Sequence, residues 1–131
     1  MNVFVELGWE SMLNDFVTAN RLKSLHLFQN NYVPLLTDVV GNFTEATFSG
    51  YASQNPSWGA AFINGSVQAE VDAIALTFTR SAGATSNTIY GIYVLDNAGV
   101  LTYAERFPAP VTMTTTGDAI TYTPKVTLIN Q

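Results

Sequence analysis

The sequence predicts a mainly β domain: an antiparallel β-sandwich or jelly-roll-like fold of about seven or eight strands, with one N-terminal α-helix. Three observations carry that expectation. Helical periodicity occurs once, near the N-terminus. Period-2 alternation follows, broken by turn signals at roughly ten-residue spacing. The 131 residues suit a single domain, 1–131, with no linker, internal repeat or heptad run.

Met1 to Gly8 reads as an extended lead, with Val3, Val5 and Leu7 alternating. From Trp9 to about Asn20, Trp9, Met12, Leu13, Phe16 and Val17 form one amphipathic stripe, so the lead and helix occupy about 1–21. Leu22 to Phe28 is a strand with Leu25 and Leu27 inward, and Leu35 to Gly41 is irregular. Phe43 to Ser53 is the next strand, with Gly50 at a bulge or close approach. Gln54 to Gly65 is turn-rich, and Trp58 and Phe62 plug it into the core. Val67 to Val71 is a short edge strand; Ala73 to Thr79 places Ile74, Leu76 and Phe78 on one face. Arg80 to Asn87 is a flexible polar loop.

Thr88 to Phe107 reads as a hairpin turning at Asp96-Asn97-Ala98-Gly99. Its first strand is apolar on both faces, Ile89, Tyr93 and Leu95 opposing Tyr90, Ile92 and Val94, which marks a central or doubly covered strand. After the turn, Leu101, Tyr103, Glu105 and Phe107 share a face. Pro108 and Pro110 end the hairpin because neither donates to a ladder. Thr112 to Thr116 is extended, Gly117-Asp118 is a turn, and Ile120 to Leu128 is the last strand.

Charged residues are only 11% of the chain, against about 25% in an average domain, so neutral polar residues must cover much of the surface. Such a chain suits an assembly component, a homo-oligomer with the second apolar face of Thr88–Leu95 as a seam. The net charge is -5 and the five cations are scattered, which argues against nucleic acid and anionic membranes. No cysteine is present, which removes disulfides, thiolate metal sites and a Cys nucleophile. The N-terminus lacks a signal-peptide pattern, which fits synthesis in a cytoplasm.

No catalytic, cofactor or metal signature emerges, and the chain is read as not an enzyme. His26, the sole histidine, lies opposite Leu25 and Leu27 with no nucleophile or carboxylate motif beside it, and reads as structural. Glu45 with Glu105 would be the pair to test for glycoside hydrolysis, but nothing fixes their separation. Glu70, Asp72 and Asp96 are the acids to test for calcium, and they lack an EF-hand frame; a calcium held by loop carbonyls stays open. Gly83 and Gly91 are isolated and make no phosphate loop. Tyr51, Trp58, Tyr90, Tyr93 and Tyr103 read as core or contact residues before a sugar-stacking platform.

As an ordered set, Leu25-His26-Leu27-Phe28-Gln29-Asn30-Asn31 with Pro34, Phe43-Thr44-Glu45-Ala46, Gly50-Tyr51, Leu76-Thr77-Phe78, Ile89-Tyr90-Gly91, Ala104-Glu105-Arg106-Phe107 and Gly117-Asp118 are familiar. The chain resembles small β-rich structural proteins of tailed bacteriophages, most of all capsid decoration (cement) proteins or short head- or tail-associated proteins. The resemblance implies a virion protein, made in the host cytoplasm, that binds and stabilises the assembled head through the major capsid protein. A tail, baseplate or fibre-associated adhesion module is the alternative. It implies no catalytic residue. The N-terminal segment and helix, Gln54–Gly65 and Arg80–Asn87 are the contact segments expected.

Overall fold

A computed structural model describes residues 6–65 and 68–129. The chain is mainly β, with helix α1 (Glu6–Thr18) and, among the described residues, eight strands: β1 (Ser24–Phe28), β2 (Phe62–Ile63), β3 (Gln68–Asp72), β4 (Leu76–Thr79), β5 (Asn87–Leu95), β6 (Leu101–Met113), β7 (Ala119–Tyr122) and β8 (Lys125–Ile129). All pairings are antiparallel. They build three small sheets, ordered β1-β5-β6, β2-β3-β8 and β4-β7.

The expected central strand is central: β5 pairs with β1 on one side and β6 on the other. Its facing differs from strict alternation. Ile89, Ile92 and Val94 enter the main core, while Tyr90, Tyr93 and Leu95 pack on the opposite side with Phe28, Phe43, Tyr32, Leu101 and Ala104. A register shift between Ile89 and Gly91 changes the phase, as a β-bulge does. Gly91 is required there: a Cβ would fall on the Glu105 carbonyl and 2.7 Å from the Phe28 ring. A second shift at Val94/Leu95 sends Leu101 to the outer side while Tyr103, Phe107 and Val111 stay inward. The second face expected to meet another sheet or a subunit, Tyr90, Ile92 and Val94, is split: Ile92 and Val94 lie in the chain's own main core, and Tyr90 packs against the outer cluster with Phe28 and Phe43.

Phe43 to Ser53 is not a regular strand. It is a strap along the free edge of β1, joined by isolated bridges Phe28↔Glu45 and Leu25↔Gln54. Gln29 N–H donates to Thr44 O (2.8 Å), Ala46 N–H to Leu27 O (2.9 Å), and Leu25 exchanges both bonds with Gln54 (2.7 and 3.0 Å). Where the strap swings away, the Tyr51 hydroxyl accepts from Leu27 N–H at 3.0 Å. The alternation still holds, since Phe43 faces the outer cluster while Ala46 and Phe48 fill the main core.

Helix α1 begins at Glu6, so Glu6 to Gly8 are helical and not part of an extended lead; residues 1–5 lie outside the described residues, as does the Trp9 side chain. Asn20, with φ 55°, ends the helix in the left-handed conformation, and Arg21 N–H closes on Phe16 O at 3.2 Å. Leu13 and Val17 pack on β2-β3-β8, and Asn14 Oδ1 accepts from Ala61 N–H at 2.9 Å.

Strand β3 lies between β2 and β8, so Gln68–Asp72 is a central strand where an edge was expected; Val67 lies outside the described residues. Ile74 is exposed, because β4 starts only at Leu76. The expected last strand is two strands in different sheets, broken at buried Pro124, which has no N–H to continue a ladder. Pro108 and Pro110 do not end β6, because they lie in the register break between Arg106, which pairs with Gly91, and Val111, which pairs with Ile89, so the ladder to β5 loses no bond to them. Trp58 is half-buried and donates to Leu22 O at 3.1 Å, whereas Phe62 stays exposed.

Gly91→Ala should cost about 3 kcal/mol in urea unfolding, because backbone and ring must both move. Gly41→Ala, with nothing within 4 Å of the new Cβ, should stay within about 0.5 kcal/mol. Tyr51→Phe strands a covered amide and should cost about 1–3 kcal/mol. In that variant the Leu27 amide should exchange faster in a site-resolved hydrogen-exchange measurement, and an unchanged rate would contradict the strap's role.

Candidate functional site

The outer edge of β6 is flanked by two cavities that share Thr102 and Tyr103. One, of about 350 Å³, is lined by Pro34, Leu35, Leu36 and Asp38 against Leu101–Ala104. The other, of about 300 Å³ and almost wholly apolar, is lined by Met12, Leu13, Phe16 and Leu22 against Tyr103, Val126 and Leu128. Leu101 and Ala104 belong to the outer cluster, while Tyr103 and Leu22 belong to the main core. The cavities therefore open on opposite faces of the β1-β5-β6 sheet, with the strand edge between them.

The walls are built, not loose. Asp38 accepts from the Tyr32 hydroxyl (2.6 Å) and from Leu35 N–H (2.7 Å), fixing the 32–38 turn. Arg106 donates to Tyr32 O (2.8 Å) and Asn31 Oδ1 (2.7 Å) while lying over the Tyr90 ring. That fixed turn presents Leu36 fully to solvent (107%), beside Leu35 at 62%. On the opposite wall Met12 and Phe16 are exposed at 47% and 38%. These are two of the five residues of the expected helix stripe, and they border the groove without filling it.

Tyr103 is the pivot between the cavities. Its hydroxyl and that of Tyr122 each donate to Glu105 Oε2 at 2.5 Å. Burial and the Glu105 carboxylate push the Tyr103 hydroxyl up to about 12, and the same causes raise Tyr122 further. Both phenols stay protonated donors, so Tyr103 is held in one pose at the floor of the groove.

The other residues singled out in the sequence fall elsewhere. His26 Nδ1 meets Glu45 Oε1 at 2.7 Å and His26 Nε2 meets Ser24 Oγ at 2.9 Å. That is the order of a Ser–His–carboxylate chain, and sequence spacing did not reveal it. Neither Ser24 nor His26 lines either groove cavity or the third, of about 190 Å³, beside Tyr51 and Phe78. Instead His26 stacks on Tyr93 at 4.9 Å and ties β1 to the strap. Glu45 and Glu105 lie on opposite sides of the β1-β5-β6 sheet and form no pair.

Glu70 and Asp72 neighbour one another, but Lys125 Nζ sits 3.1 Å from Glu70 and Asn64 donates to it at 2.8 Å. Asp96 is remote from them, accepting from Ala98 and Val100 N–H (2.8 and 2.9 Å) beside Arg21. No group of three metal-ligating side chains occurs among the described residues. Tyr51, Trp58 and Tyr93 are at least half-covered and divided between packing layers, so the aromatic set forms no single platform. Gly83 lies in a loop closed around buried Arg80, whose guanidinium donates to Ser81, Gly83 and Thr85 carbonyls. This loop is knit together rather than free.

Sequence reasoning missed Leu35, Leu36 and the role of Tyr103. The available signal was two adjacent leucines after Pro34, outside any periodic element. No family model, curated protein or solved structure matches the chain.

The carboxylates yield opposite pH signatures. Backbone N–H donors hold Asp96 below the usual range, so its stabilisation is present above the unfolded carboxylate value of about 3.9 and is lost as pH falls through the lower folded value. Burial and Glu70 raise Asp72, so its ionisation costs stability at neutral pH, and the cost disappears as pH falls through the raised folded value towards the unfolded one. Asp96→Asn should therefore destabilise at pH 7 and converge on the parent in acid. Asp72→Asn should stabilise at pH 7 and lose that advantage in acid. Urea midpoints at several pH values check both signs.

Proposed function

We propose that the protein is a virion structural protein, a capsid decoration or cement protein that docks on the assembled phage head through the groove beside β6. The observation that carries this reading is the exposed apolar surface on fixed walls, with Leu36 at 107%, in a chain with only 11% charged residues. Val33, Val39 and Val40 extend the apolar surface along the 33–40 loop. Covering each such side chain contributes about 1.5–3 kcal/mol. Many modest contacts repeated on a symmetric lattice then add through avidity. The resemblance to small phage structural proteins supplies the particle as the setting. The major capsid protein is the partner in this reading.

Purified protein mixed with matching expanded capsids should co-sediment. Leu36→Glu and Phe16→Glu, both solvent-facing changes, should each weaken binding at least about tenfold, since one lost anchor of 1.4 kcal/mol or more has that effect. Folded protein that ignores such capsids, or binds equally well with both changes, contradicts the reading.

A further inference from the structure

We propose that the groove accepts an extended β-strand from a partner polypeptide, hydrogen-bonded to the outer edge of β6 at Leu101–Glu105. This rests on the docking role given to the groove above, and it names the form the partner takes. Among the described residues, strand β6 pairs only with β5. Half the backbone N–H and C=O groups of such an edge point away from the sheet, ready for another strand. The other edge of the same sheet, β1, is closed by the strap and by Tyr51. On β6 itself, Pro108 and Pro110 each lack an N–H and interrupt the row of donors just beyond Phe107. Among the described residues, the stretch beside the cavities is open along its outer edge, free of proline and competent to pair.

The two cavities select an extended segment over a helix. They lie on opposite faces of the sheet and share Thr102 and Tyr103 of the edge. Successive side chains of an added strand point to opposite faces, so alternate residues enter the two cavities in turn. A helix laid on one face reaches one cavity only. The cavity linings contain one charged residue, Asp38, and no lysine or arginine, in a chain of net charge -5. The matching strand is apolar within the groove, free of acids, and basic at its flanks. The β6 edge of a second copy does not meet that description, because Leu101–Glu105 itself carries an acid, Glu105.

The test uses the full chain and four acetylated nonapeptides. Each alternates threonine with valine, isoleucine, phenylalanine or tyrosine and carries a lysine at both ends. Nitrogen-15 amide spectra should shift at Leu101–Glu105 with at least one peptide. Leu36→Glu and Phe16→Glu, on opposite walls, should each weaken that peptide about tenfold. N-methylation at one parity of the peptide backbone should abolish binding, while the other parity should be tolerated, because only alternate N–H groups face β6. The proposal is overturned by no shift from any peptide, by shifts confined to other strands, or by equal binding of both N-methylated forms. It is also overturned if an amphipathic helical peptide fills the groove while the strands do not, or if the protein self-associates and Leu36→Glu dissociates it. Capsid binding that Leu36→Glu abolishes, without strand pairing, sinks the strand and keeps the docking role. Strand pairing at β6, with capsid binding indifferent to Leu36→Glu, sinks the docking role instead.

Discussion

The structure depends on how the edge of β1 is closed. An open strand edge is a row of unpaired backbone groups, and a small β domain must cover or spoil it. Here an irregular strap does so, with Tyr51 completing the one place it cannot reach. That hydroxyl also donates to Glu45 (3.0 Å), which holds His26, which stacks on Tyr93. Phe43, at the start of the strap, stacks on the same Tyr93. Closing the edge therefore also covers the outer face of the central sheet, and the chain gains a second packing layer from residues with no regular secondary structure.

The opposite edge is treated differently. Just beyond Phe107 it carries Pro108 and Pro110, which interrupt the donors that would recruit a neighbour. Before Phe107 no described strand pairs with it, and Leu36 and Phe16 border it at the rims of two cavities. A domain that closes one edge, protects half of the other and surrounds the remainder with fixed apolar walls has a directional surface. The fixing residues, Asp38 and Arg106, satisfy turn amides and carbonyls, and of the two only Asp38 lines the groove. This asymmetry is the physical basis for reading the groove as the working face.

The fold was legible where a local pattern controlled it. Periodicity gave α1 and the inward facing of Leu25 and Leu27, and the two-faced apolar run gave β5 its central place. The turn at Asp96–Gly99 was legible because Asp96 and a positive-φ glycine build it locally. The misses have tertiary causes. The Ile89/Gly91 bulge inverts the facing of Ile89 and Tyr90 through contact with β6, which no local window contains. Pro108 reads as a strand end unless the register break around it is known. The split at Pro124 assigns neighbouring segments to different sheets. The groove was the least legible part, because Pro34–Asp38, Met12–Phe16 and Leu101–Ala104 are distant in sequence and meet only after three sheets have formed.

Amide hydrogen exchange on the protein, free and bound to particles, tests the unequal edges most directly. The account predicts slow exchange at Leu25, Leu27 and Gln29 in both states. It predicts fast exchange at alternate amides within Thr102–Glu105 in the free protein, and slow exchange there once bound. Slow exchange along β6 in the free protein, or fast exchange persisting in a bound complex, would contradict it.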